Sequence, residues 1–202
     1  MDALSDRRRV IAIDFPGFGE SFSPQTPWSV DDYADCVGEI LDQIGNADIL
    51  AHSFGARVAI KLASRGDGRI GKMLLTGAAG IKPKRRFSYY RKVAFYKLLR
   101  RFGNAEKWRK KYASPDYLKL NPVMRESFKR VVNENLAPCL TKITCPTLLV
   151  FGEKDTETPL YMAEMMKKKI FGSALIVFDG VGHFCFLERP YRFTAVAKAF
   201  FS

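Results

Sequence analysis

Short β-branched apolar runs alternate with longer stretches of helical spacing along most of the chain. Residues 10–14 (VIAID) form one such run and end in PGFG, which predicts a buried strand leading into a glycine-rich loop. Ser29-Val-Asp-Asp32 then has the pattern of a capping start for a helix that carries Tyr33, Val37, Ile40 and Leu41 on one face. Residues 48–52 read as a strand, 56–64 as the helix after it, and 72–76 (KMLLT) as another strand. Residues 147–151 (TLLVF), a helix near 160–170, residues 175–178 (LIVF) and a last helix over 190–201 complete the series. Strands that are apolar on both faces and alternate with helices predict an α/β fold, a mostly parallel sheet with helices on both faces.

Between residues 82 and 142 this alternation is interrupted by aromatic, basic, helix-compatible sequence such as SYYRKVAFYKLLRRF. Phe95, Leu98, Leu99 and Phe102 there follow i, i+3, i+4, i+7 spacing, with Arg91, Lys92, Lys97, Arg100 and Arg101 on the polar side. The organisation expected is a core of residues 1–80 and 143–202 with a basic helical cap inserted over 81–142.

Charge sharpens this division. The chain of 202 residues carries a net charge of +12, but 18 of its 33 Lys and Arg lie between residues 82 and 142 against four acidic residues. The remainder, with 15 basic and 17 acidic residues, is close to neutral. The charge therefore marks one segment rather than a nucleic-acid surface, and no nucleic-acid-binding motif accompanies it. A basic cap helix over a site is the first reading; contact with an anionic membrane surface, and a few basic side chains turned inward to bind an acidic substrate, are lesser ones.

The start, MDALSDRRRV, has no apolar stretch that could serve as a signal-peptide core, and nowhere do about 18 apolar residues run together. Cys36, Cys139, Cys145 and Cys185 are scattered without a CxxC pair, which suits reduced, buried thiols in a cytoplasmic protein. Only His52 and His183 supply imidazole, with no cysteine at ligand spacing, which argues against a zinc site.

The candidate chemistry centres on ILAHSFGARVAI. Ala51-His52-Ser53-Phe54-Gly55 has the small-x-nucleophile-x-small pattern of a strand, tight turn and helix, which exposes the serine. By itself the pattern also fits an ordinary turn serine. His52 adjoins Ser53 and is expected to turn to the other side of the strand, which leaves His183, in the loop after residues 175–178, as the candidate base. Asp155, after residues 147–151, is the candidate acid that orients it, with Glu157 and Asp179 as alternatives.

The order Ser, Asp, His, each after a strand, resembles the α/β-hydrolase superfamily. VIAIDFPGFGESFSP looks like its fourth strand and DxPGxGxS loop, AHSFGARVAI like its nucleophile elbow, LLVFGEKDTETP like its acid strand and VGHFCFLERP like its histidine loop. The resemblance implies Ser53 as nucleophile, His183 as general base, Asp155 as orienting acid and the Phe54 N–H as one oxyanion donor. It implies acyl-transfer chemistry on a small ester, amide, thioester or activated C–C bond substrate, with no metal or organic cofactor. It also implies that the family's first three strands, and the loop that supplies a second oxyanion N–H, have no counterpart here. A truncated hydrolase is the expectation. Residues 10–14 and 48–52 would then lose the strand between them and close up, recruit another strand or leave a gap, and the exposed edge would favour self-association. The rival function is an inactive hydrolase-like protein, a binding module or a membrane-associated protein.

Overall fold

A computed structural model describes residues 2–6, 8–66, 68–82, 117 and 120–202. The expected amphipathic helix around Phe95 to Phe102, and most of the expected basic cap, lie outside the described residues.

A single turn, α1 (Asp2–Ser5), opens the chain, and α2 (Val30–Ile44) follows. The predicted capping box starts α2: Ser29 N–H donates to the Asp32 carboxylate at 2.6 Å, and Asp32 N–H donates back to Ser29 Oγ at 3.4 Å. Then come β1 (Ala47–His52), α3 (Ser53–Ala63) and β2 (Ile70–Thr76). After the insertion begins, the described residues form α4 (Pro122–Asn133) and a 3-10 turn (Leu140–Lys142). The chain closes with β3 (Thr147–Gly152), α5 (Leu160–Lys169), β4 (Ala174–Phe178), a short α6 (Cys185–Glu188) and α7 (Pro190–Phe201). The sequence pattern gave no sign of α6, which at four residues is too short for a helical period to show.

The sheet has the order β1-β2-β3-β4 and every pairing is parallel. His52 pairs with Thr76, Thr76 with Val150 and Val150 with Ile176, so the carboxyl ends of the strands open on one side of the molecule. The period of two along each strand divides the core. Met73, Leu75, Leu149 and Phe151 point into a cluster with Tyr33 and Leu41 of α2, Ile60 of α3 and Met166 of α5. Leu74, Leu148 and Val150 point the other way, against Phe193, Ala197 and Phe201 of α7. Both faces are covered, as the apolar runs imply.

The expected strand at residues 10–14 is not one. The segment joins no ladder, and Ile11 and Ile13 are exposed. Arg8, at its start, bonds Asp48 of β1 at 3.2 Å, and Phe15, at its end, packs on Phe54 just beyond β1. The segment therefore runs past β1 without pairing, and among the described residues β1 bonds only to β2. A ladder needs a neighbouring strand about 4.8 Å away, so the β-branched run stays unpaired and Leu50 stays exposed. Of the four thiols only Cys185 is fully buried, which corrects the expectation for the other three.

α4 docks on the core through buried polar contacts. Asn121 caps its start, and Trp28 N–H donates to Ser127 Oγ at 2.9 Å. At its other end, buried Arg57 of α3 donates to the carbonyls of Val131 (3.0 Å) and Glu134 (3.1 Å). These carbonyls lie at the carboxyl end of the helix, where a cation is favoured. Lys61, one turn further along α3, bridges Asp31 at 2.9 Å and Glu134 at 2.6 Å. Removing the guanidinium leaves two carbonyls without their charged donor. Arg57→Met is therefore expected to lower stability by about 2–4 kcal/mol, read from the urea unfolding midpoint.

Candidate active site

β1 ends at His52 and α3 begins at Ser53 with no residue between them. So abrupt a reversal forces Ser53 to φ 48°, the only non-glycine positive φ among the described residues. Holding an L-residue there costs about 1–2 kcal/mol. The flanking small residues face one another across the turn: a Cβ built on Gly55 would lie 3.8 Å from Ala51 Cβ, in van der Waals contact. His52, at the helix N-cap, makes no side-chain capping bond, so the first N–H groups of α3, Phe54 among them, have no side-chain cap. A helix N-terminus with free donors favours negative charge. The Phe54 ring is fixed by Phe15, Phe18 and Tyr33, with centroids at 5.4, 5.4 and 5.0 Å. The PGFG loop thereby lies against the turn.

Asp155 and His183 come together from the ends of β3 and β4. His183 Nδ1–H donates to Asp155 Oδ2 at 2.8 Å, and both side chains are buried. The carboxylate accepts further bonds: Thr158 Oγ1–H at 2.7 Å, Thr158 N–H at 2.8 Å and Glu157 N–H at 2.9 Å. Burial opposes ionisation of Asp155, but the bonds from His183 and Thr158 outweigh it and hold the carboxyl below its usual range. A carboxylate acceptor at Nδ1 fixes the tautomer and leaves Nε2 as the free imidazole nitrogen.

Two glycines make this meeting sterically possible. A Cβ on Gly152 would run into the carbonyl oxygens of Val181 and Gly182, so the loops after β3 and β4 touch backbone to backbone. A Cβ on Gly77, at φ 49°, would sit 3.0 Å from His183 Nδ1 and Cε1. The loop that contains Gly77 also reaches the turn, since Ala79 N–H donates to the Ser53 carbonyl at 3.3 Å. Ser53 and His183 therefore flank the same loop. No hydrogen bond joins Ser53 Oγ to His183 among the described residues.

Asp179, one alternative acid, is exposed in the turn after β4. Glu157, the other, does not reach Nδ1; its Oε2 lies 3.6 Å from His183 Nε2. His52 turns to the face of β1 opposite Ala51, where its ring meets Phe186 at a centroid distance of 5.0 Å. Its Nδ1–H donates to the Thr76 carbonyl at 3.1 Å, which draws the ring across the strand ends to a centroid distance of 4.6 Å from His183. Burial, then the neighbouring His183, pulls the His52 pKa down. Thr158 escaped the sequence reading, although an aspartate followed at i+2 and i+3 by free N–H groups is the signature of a local Asx-type turn. Among the described residues no three His, Cys, Asp or Glu side chains are grouped to hold a metal, and no helix is long and apolar enough to cross a membrane.

The sequence profile of the Alpha/beta hydrolase family matches residues 1–197. The pimeloyl-(acyl-carrier protein) methyl ester esterase of Neisseria meningitidis is 28% identical over 214 residues, covering 95% of this chain and 67% of that protein. The 2-hydroxymuconate semialdehyde hydrolase of a Pseudomonas is 27% identical, covering 99% of this chain and 78% of that protein. Among solved structures, a meta-cleavage product hydrolase from Pseudomonas fluorescens superposes with a TM-score of 0.73 at 25% identity, over 99% of this chain and 82% of that one. An esterase from Exiguobacterium antarcticum gives 0.70 at 25% identity, over 92% and 78%.

The strain at Ser53 is measurable without any substrate. Ser53→Gly is expected to be more stable than Ser53→Ala by about 1 kcal/mol in chemical denaturation, because glycine alone adopts φ 48° freely.

Proposed function

The chain belongs to the alpha/beta hydrolase family, and on that premise we propose that it is a serine hydrolase cleaving a small substrate through Ser53, His183 and Asp155. The substrate is an ester, amide, thioester or activated C–C compound. An ester is the first to test, because one of the relatives carries the name methyl ester esterase. The observation that supports the reading most is the buried Asp155–His183 hydrogen bond, set beside a serine held at positive φ on a helix N-terminus.

In the proposed reaction Ser53 Oγ attacks the carbonyl carbon while His183 Nε2 takes its proton. Asp155, bonded to Nδ1–H, keeps the productive tautomer and stabilises the imidazolium that forms. The developing oxyanion faces the Phe54 N–H and the positive end of α3. The tetrahedral adduct collapses, His183 returns the proton to the leaving group, and the acyl group remains on Ser53. Water then repeats the sequence from the other side and releases the acid. The Ser53–His183 hydrogen bond forms when substrate is seated, as catalytic bonds commonly tighten only in the complex. Side chains and water suffice for every step.

One observation favours a second reading, a hydrolase-like protein that binds without turnover: Ser53 Oγ and His183 are not hydrogen-bonded in the free chain. The two readings part under a fluorophosphonate probe. The first predicts labelling of the folded chain that is abolished in Ser53→Ala and slowed on the order of 10³-fold or more in His183→Ala, read by gel fluorescence. Folded protein that stays unlabelled, or equal labelling of Ser53→Ala, would select the second.

A further inference from the structure

Glu157 has no part in the proposed triad, yet it stands at the reacting nitrogen. Its Oε2 is 3.6 Å from His183 Nε2, on the side opposite the nitrogen that Asp155 occupies. Its side chain is 66% exposed, so the carboxylate is within reach of an entering molecule and is not consumed by the protein's own packing. Its backbone, in contrast, is fixed: Glu157 N–H donates to Asp155 Oδ1 at 2.9 Å, so the carboxylate that orients the imidazole also places Glu157. Of the other acidic groups here, Asp155 is buried on the far nitrogen of the imidazole, Asp179 is exposed in the turn after β4, and Glu153 and Glu188 are engaged with backbone. Glu153 accepts from Gly180 N–H at 2.8 Å and Glu188 from Gly182 N–H at 3.0 Å. Glu157 is the carboxylate of these loops that is left facing solvent at the imidazole.

We infer that Glu157 is a specificity-determining residue of this site: its carboxylate, beside His183 Nε2, selects substrates with a positive charge near the scissile carbonyl and rejects anionic ones. The inference rests on the reading of Ser53 as nucleophile, since the carbonyl attacked by Ser53 must lie next to the nitrogen that takes its proton. A substrate charge held about 6 Å from the carboxylate, in a largely aqueous medium of effective dielectric roughly 40–80, changes its reactivity by roughly three- to tenfold in each direction. The cation-to-anion ratio therefore moves by about tenfold or more. Salt screens a charge this exposed, so the ratio falls as ionic strength rises.

Three thioesters of matched size test this, with released thiol followed by its colour reaction: acetylthiocholine, S-(3,3-dimethylbutyl) thioacetate and S-acetyl-3-mercaptopropanesulfonate. In each, the Ser53 oxygen replaces the thiolate on the acetyl carbon and water later releases acetate. For the wild-type chain, kcat/KM is expected to fall in the order cationic, neutral, anionic. Glu157→Gln collapses the cation-to-anion ratio about tenfold, and Glu157→Lys inverts it, an outcome that a merely structural role would not produce. The same ratio in the wild type and both folded variants overturns the inference, and if Ser53→Ala is inactive on all three thioesters the hydrolase reading stands. Turnover that survives Ser53→Ala, or none of the three consumed by folded wild type, overturns both.

Discussion

The candidate site depends on one backbone seam, where the loop after β3 meets the loop after β4. Glu153 N–H donates to the Phe178 carbonyl at 3.0 Å, and Lys154 N–H to the Val181 carbonyl at 2.8 Å. The seam closes because residue 152 is glycine; any side chain would strike the Val181 and Gly182 carbonyls. Parallel register brings the two strands to the same level, from Leu148–Ala174 through to Gly152–Phe178. Asp155 and His183 then need only three and five residues beyond their strands to meet at 2.8 Å. The bond is a consequence of sheet register and one missing Cβ, and Thr158 and the Glu157 N–H hold its carboxylate end in place.

The turn at Ser53 is held by different means. Its positive φ is unfavourable locally, so the elements around it must supply the compensation. Below it, β1 is paired with β2, and α3 buries Ala56, Val58, Ala59, Ile60 and Leu62. Beside it, the aromatic group of Phe15, Phe18, Tyr33 and Phe54 ties the PGFG loop to the residue after the serine. Further along the same helix, Arg57 and Lys61 fix the end of α4. The helix that begins with the strained serine is thus also the anchor for the described end of the insertion, and a shift of α4 would be felt through Arg57 one turn from Ser53.

Much of this was legible in the chain itself, and the failures are instructive. Residues 48–52, 147–151 and 190–201 carry patterns that local packing decides, and the structure agrees with them to within a residue. Asp155 and His183 could be picked out because each follows a strand, and the structure bonds them. Residues 10–14 have the same β-branched composition as a strand, but pairing is a property of the neighbour, and β1 offers no ladder to them. The approach of the His52 ring to His183 depends on the Thr76 carbonyl, a residue 24 positions away. The place of Glu157 depends on how the DTETP turn folds around one carboxylate, and no spacing rule reads that. The assignment of 81–142 as a cap falls for its greater part on residues outside those described.

The central claim is that Ser53 carries the acyl group in the proposed reaction, with its proton taken by a histidine that Asp155 orients. The most direct test is to mix the folded chain with p-nitrophenyl acetate, quench in acid and locate the acetyl group by peptide mass spectrometry. The account predicts acetyl on Ser53, accumulating before steady turnover and lost in His183→Ala. Acetyl found only on surface lysines, at a level unchanged by His183→Ala, would contradict it.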